Sequence, residues 1–366
     1  MKIPFDREIT PDWQEFVETI LRKRTPKRVH FIELFLDGEI QEAVAKRYGL
    51  MQDWVPNDPA RGLQLQVRIQ RFLGYDYVRA GLDGLNMPLK RLIVEDSATL
   101  KREGGRSFQD EHAGPITNWE EFEKYPWPDP AHAGTQTLEW YEKNLPEDMC
   151  VIASGGFAHF AEYLCWLMGY ETLCYALYEQ RDLVEAISRR LEALFRSNVK
   201  TMLQFDRVKV VWGSDDMGFK TGLLFSPADM RRFVLPGHKL MAQMSHDAGR
   251  PYILHACGNL SSIMDDLIND VRIDGKHSFE DTIEKVTDLK DTYGKRIALL
   301  GGVDVDFLCR ADERQVRARV RETLRKCMPG GGYLLGTGNS VANYIPVDNY
   351  LAMLDEGRRF AVPAGQ

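Results

Sequence analysis

The run Pro251-Tyr252-Ile253-Leu254 ends in His255-Ala256-Cys257-Gly258-Asn259, an imidazole and a thiol two residues apart. In a strand both side chains point to one side, because side chains alternate with period two. The pair offers two ligands for zinc, or a thiolate activated by its neighbour. Zinc sites commonly need at least three protein ligands, so the chain must supply another donor. The plainer alternative is a buried thiol beside a hydrogen-bonded histidine.

Other chemistry-bearing residues follow apolar runs in the same way. Asp215 and Asp216 follow Val208-Lys209-Val210-Val211-Trp212-Gly213-Ser214. Paired carboxylates act as acid and base or hold a cation, although aspartates also serve in turns and caps. His277 and Glu280 lie three residues apart, close enough to orient each other. Glu33 ends an apolar run and needs a partner if buried. Arg79, Ser154, Asp304 and Asn339 hold comparable positions. Asp215, His255, His277 and Glu280 are the catalytic candidates. Glu33, Arg79, Ser154, Asp216, Asp304 and Asn339 are the substrate-binding candidates.

Eight strand-like runs carry these residues: 28–34, 75–79, 149–154, 208–213, 251–255, 271–276, 296–301 and 332–336. Helical patterns occupy 38–48, 57–72, 158–178, 182–204, 227–248, 312–328 and 346–360. Alternating strands and helices imply parallel strands with right-handed crossovers. Eight such units predict an α/β chain folded as a (β/α)8 TIM barrel, whose chemistry sits at the C-terminal strand ends. No G-x-G-x-x-G follows an early strand, which argues against a dinucleotide-binding open sheet. Residues 95–148 do not fit a simple unit and read as an insertion between strands 2 and 3, near the barrel mouth.

The chain has 366 residues, 44% hydrophobic and 28% charged, ordinary for a globular enzyme. One barrel domain over 1–366 accounts for that length. The net charge of -7 argues against nucleic-acid binding, which favours basic patches. No apolar run nears the roughly 18 residues of a membrane helix. The N-terminus lacks the apolar stretch of a signal peptide. The six cysteines therefore read as reduced thiols of a cytoplasmic protein.

Four segments resemble the uroporphyrinogen decarboxylase superfamily. They are Trp212-Gly213-Ser214-Asp215-Asp216-Met217-Gly218 with Leu224-Phe225-Ser226-Pro227, the Leu254–Asn259 stretch, Leu300-Gly301-Gly302-Val303-Asp304, and Gly330–Gly338. The resemblance implies the same barrel and one of two chemistries. One is cofactor-free decarboxylation of a tetrapyrrole's acetate arms. The other is cobamide-dependent methyl transfer, in which zinc activates the substrate. The haem-pathway decarboxylases carry an arginine-rich segment after the first strand and an aspartate after the second. Here those places read Phe31-Ile32-Glu33-Leu34-Phe35 and Val78-Arg79-Ala80-Gly81-Leu82, which places the chain outside that branch. The thiol methyltransferases pair the His-x-Cys with a further cysteine after the eighth strand, where this chain has Gly338-Asn339-Ser340.

The resemblance thus implies a methyltransferase that moves a methyl group between a small methylated substrate and a partner corrinoid protein. His255 and Cys257 would bind zinc, with Glu33, Asp215 or Glu280 as a further ligand or substrate contact. The alternatives are a decarboxylase, with Arg79 holding a carboxylate and Asp215 relaying protons, and a non-catalytic tetrapyrrole or corrinoid carrier. The superfamily includes monomers and dimers, so a homodimer is also expected to be open to this chain.

Overall fold

The computed structural model describes residues 5, 8–51, 58–110, 112 and 114–362. Residue 57, where one helix was expected to start, lies outside them, as do both extremes of the expected 1–366 domain. Seven parallel strands form one sheet: β1 Tyr77–Ala80, β2 Cys150–Ala153, β3 Val208–Ser214, β4 Tyr252–His255, β5 Gly275–His277, β6 Ala298–Leu300 and β7 Tyr333–Leu334. They lie side by side in chain order. The strand bodies are almost wholly buried, as expected of a parallel sheet covered by helices.

The first expected strand, 28–34, joins no ladder. It meets β7's continuation through one parallel bridge, Phe31 to Leu335. Ile32 N donates to Leu335 O and Leu335 N to His30 O, both at 2.9 Å. Toward β1 the segment is joined by side chains. Tyr77 Oη accepts from Glu33 N at 2.8 Å and donates to Glu33 O at 3.2 Å. Below it, buried His30 sits between Asp76 at 2.7 Å and Glu15 at 3.3 Å. The residues have strand composition, yet this edge is a side-chain seam.

Two expected helices are each divided. The 158–178 pattern becomes Phe160–Met168 and Tyr170–Glu179, broken at Gly169 with φ 80°. The 227–248 pattern becomes Pro227–Phe233 and Leu235–Asp247, with Pro236 in the second helix's first turn. Proline removes an interior donor but suits that position. Ser226 caps the first of these, accepting from Asp229 N at 3.1 Å, in keeping with its sequence signature.

The connection from β1 to β2 contains the stretch 95–148. It holds an antiparallel hairpin of Arg91–Val94 with Arg106–Gln109, then helices Trp119–Lys124 and Gln136–Asn144. Arg102 grips Glu39 with two bonds of 2.9 and 3.1 Å. Asp96 accepts from Arg102 N at 2.8 Å and Asn343 Nδ2 at 2.6 Å. The hairpin is thus moored to the loop after β7. No helix among the described residues is long and apolar enough to cross a membrane.

Candidate metal and catalytic site

The sheet register sets the site. Ser214 pairs with His255 and His255 with His277, so the ends of β3, β4 and β5 lie level. The two imidazoles meet there, with Nδ1 to Nδ1 at 2.8 Å. The loop after β4 then folds onto the loop after β3. Gly258 has φ 92°, and a Cβ there would lie 2.2 Å from the Gly218 backbone. Only glycine suits that conformation and that contact. The packing brings Cys257 N within 3.0 Å of Asp216 Oδ1.

Asp216, His255 and Cys257 converge, their ligand atoms all within 4.8 Å of one another. His255 Nε2 is 3.4 Å from Cys257 Sγ and 3.3 Å from Asp216 Oδ1. Asn339 Nδ2 donates to Cys257 Sγ at 3.2 Å, and Ser278 Oγ lies 3.5 Å from the sulfur. Asn339 thus serves the thiol as a hydrogen-bond donor. Asp216 keeps 46% of its side chain exposed while its inner oxygen faces His255.

Burial, with repulsion from His255, pushes the His277 pKa well below the usual range. His277 is therefore neutral. The proton between the two Nδ1 atoms can sit on either ring, and with it on His255 the His277 Nδ1 accepts. His277 Nε2 has only the Thr337 backbone to face. With Nδ1 protonated, His255 turns the lone pair of Nε2 toward a sulfur and a carboxylate oxygen. Such a group is held together by protons, on the thiol or on Nε2, or by a metal ion. Burial, then the Asp216 charge, pushes the Cys257 thiol up, so it stays protonated without a metal. Burial opposes ionisation of Asp216, yet the bonds to His255 and Cys257 hold its carboxyl well below the usual range.

Several expected residues do other work. Asp215 is fully buried. It accepts from Ala161 N and Glu162 N, both at 2.9 Å, and lies 2.8 Å from His238 Nε2. It anchors the start of helix Phe160–Met168, where a carboxylate is favoured by the helix dipole. Asp304 caps helix Val305–Arg310 through Phe307 N at 2.8 Å and also accepts from Asp281 N at 2.9 Å. Glu280 makes no bond to His277, whose partner is His255. Burial and the nearby Asp304 raise the Glu280 carboxyl.

Glu33 is buried and accepts from Thr337 N at 2.8 Å, with Thr337 Oγ1 at 2.5 Å. Burial pushes its pKa up to about 8 against those bonds, so near pH 7 it is mostly a neutral acid and no ready metal ligand. Arg79 stacks on Trp212, 5.0 Å from guanidinium to ring, and donates to Ser154 Oγ at 3.1 Å. No acidic partner to Arg79 is seen among the described residues. Trp212's other neighbour is His277, 5.4 Å away. Arg79 and Ser154 therefore lie one indole away from the histidine pair.

Two residues that the sequence did not single out lie at the helix start held by Asp215. His159 Nδ1 is 2.6 Å from Glu162 Oε2, in the first turn of the helix that Asp215 anchors. The readable signal was a histidine and a glutamate three apart at a helix start, a common pattern of low specificity.

No curated protein sequence matches the chain. Among solved structures, one described as a putative vitamin-B12-independent methionine synthase from Listeria monocytogenes aligns with a TM-score of 0.47 at 12% identity. That alignment covers 91% of this chain and 95% of the other, and the likeness is too remote to carry an argument. Residues 77–360 match the family described as uroporphyrinogen decarboxylase. By that match, which spans most of its length, the chain belongs to the uroporphyrinogen decarboxylase (URO-D) family.

Proposed function

We propose that this protein is a methyltransferase with a (β/α)8 barrel architecture, acting between a small methylated substrate and a corrinoid held by a separate protein. Members of its family are generally enzymes. The observation that carries the reading is the convergence of Asp216, His255 and Cys257 within 4.8 Å. A carboxylate, an imidazole and a thiol are a fitting donor set for zinc, and three protein ligands leave a position for substrate. Bound there, zinc would serve as a Lewis acid toward the substrate's heteroatom.

The remaining roles fall to the chain itself. His277 holds the His255 tautomer, as partners of metal-binding histidines generally do. Asn339 donates to the Cys257 sulfur. Arg79, with no acidic partner among the described residues, takes an anionic group of the substrate beside Ser154. The same arginine favours the second reading, decarboxylation of a carboxylated small molecule. Asp215 is too fully engaged at its helix to relay protons in it.

The test is metal analysis of protein purified without chelator, with methyl transfer to cob(I)alamin followed by absorbance. The wild type is expected to hold about one zinc per chain, and Cys257→Ser to lose most of it together with transfer. Wild-type protein free of metal would sink the zinc mechanism. Carbon dioxide release from carboxylated substrates without methyl transfer would favour the second reading.

A further inference from the structure

His159 has one nitrogen fixed and the other open on a ring that keeps some exposure, whereas His277, also open at Nε2, is fully buried. His30 and His238 use both ring nitrogens on buried partners. His255 and His277 hold each other. His246 is bonded to Asp274, at the opposite ends of the strands. His112 and His132 lie on the β1–β2 connection. His159 Nδ1 faces Glu162 at 2.6 Å, and its Nε2 has no partner among the described residues. The two side chains keep 19% and 16% of their surface exposed, so the pair is sheltered yet reachable.

Its placement is enforced from both sides. The turn leading to it passes Gly155 and Gly156 and then Ala158, a non-glycine residue at φ 56°. Residues held in this region cluster where a turn must aim a functional group. On the other side, Asp215 takes the N–H groups of Ala161 and Glu162. The residue before Asp216 therefore pins the helix turn that bears the pair. The charges of Asp215 and Asp216 both act on His159 and on Glu162. Tyr163 and Trp166 flank the imidazole, each with ring centres 6.0 Å away.

We infer that His159, oriented by Glu162, is the proton donor to the leaving group of this site, and that the substrate is a methyl ether with a basic leaving oxygen. The inference rests on the methyl-transfer reading. In the step, the methyl carbon–oxygen bond breaks and its electron pair stays on oxygen. The methyl group passes to the nucleophilic cobalt(I) of the reduced corrinoid, which becomes a methyl-cobalt(III) species. The oxygen takes the proton from His159 Nε2 and leaves as a neutral alcohol or phenol. Glu162, on Nδ1, favours the protonated imidazole beforehand. Burial, the largest single influence, works against that charge, and the bond and charge of Glu162 with the charges of Asp215 and Asp216 together raise the His159 pKa. A histidine held by a carboxylate on one nitrogen and open on the other is suited to this task.

The experiment uses zinc-loaded enzyme, cob(I)alamin as acceptor and a panel of aryl methyl ethers whose phenols span a wide range of acidity. His159→Gln is expected to slow ethers of weakly acidic phenols by about 100-fold, within the usual range for a general acid. Ethers of nitrophenols, whose leaving oxygens need no proton, are expected to slow by less than about threefold. Glu162→Gln should show the same trend with a smaller loss, and zinc content should be unchanged in both. His159→Asn gives a second variant should the first unfold. A loss equal across the panel, no loss at all, or loss of zinc would overturn the assignment while methyl transfer by the wild type stands. Wild-type enzyme that transfers no methyl group from any ether would overturn both readings together.

Discussion

Glu33 shows how a residue can be legible while its role is not. A carboxylate at the end of an apolar run demanded a partner, and it has one in Thr337, 304 residues away in sequence. No spacing rule reaches that far. The partner is neutral, so burial wins and the pKa rises to about 8. As an acid, Glu33 can donate to Thr337 Oγ1, whose hydroxyl donates to Asn339 O at 3.0 Å. Asn339 in turn donates to Cys257. The sign of the pH effect follows. Below the ordinary value of 4.5 the acid is protonated folded and unfolded, so it imposes no penalty there. Between 4.5 and about 8 the unfolded chain releases the proton and the folded chain keeps it. Stability therefore falls over that window, by roughly 3–5 kcal/mol, and levels off above it. Glu33→Gln should flatten this slope. Urea midpoints at pH 5, 6.5 and 8 would show it; parallel pH curves for the two proteins would contradict it. His159 was missed for the opposite reason. Its partner is close in sequence, but only the folded turn reveals that its other nitrogen is open.

At the scale of elements, the strands at the site were readable because they are apolar runs ending in polar residues. Their register was not, and register is what sets His255 beside His277. The helices were readable as amphipathic stretches, but Gly169 and Pro236 broke two of them where periodicity runs straight on. Asp215 belongs to this scale. Sequence placed it among acids and bases, and cap chemistry was the competing reading. The fold uses it to join a strand end to a helix start. Asp215→Ala would leave two backbone donors and His238 without their acceptor in a fully buried place. The expected cost is about 3–5 kcal/mol, as for removing one partner of a buried charged pair. Denaturant unfolding measures it, and a cost under about 1 kcal/mol would show that the anchor matters little. Zinc content should survive if the variant folds, because Asp215 contributes no donor to that group.

For the whole molecule, the α/β class and the parallel order of strands were legible from alternation alone. The β1–β2 connection was legible only as an irregular stretch. Its mooring depends on Arg102, Arg106 and Asp96 meeting Glu39 and Asn343, contacts that composition cannot announce. The hairpin exposes Leu92, Ile93, Val94 and Phe108, and a lone two-stranded hairpin is marginal in water. Replacing Arg102 and Arg106 together by Ala should therefore raise cleavage within residues 91–109 by about tenfold in limited proteolysis. The thermal midpoint should shift by no more than about 2 °C. Unchanged cleavage would mean that the arm is held by other contacts.

The side-chain seam between the 28–34 segment and β1 also bears on how the chain is made. During synthesis β1 to β7 emerge in the order in which they lie in the sheet, so each can join a neighbour already present. The 28–34 segment is the exception. Its backbone partner, Leu335, follows every strand of the sheet, and until then the side chains of Glu15, Asp76 and Tyr77 hold it. Joining such distant points carries a loop-closure entropy that grows only slowly with length, but the contacts it awaits are among the most non-local in the molecule, the kind that slow folding. The earliest part of the sheet region to leave the ribosome is thus among the last to find its backbone partner.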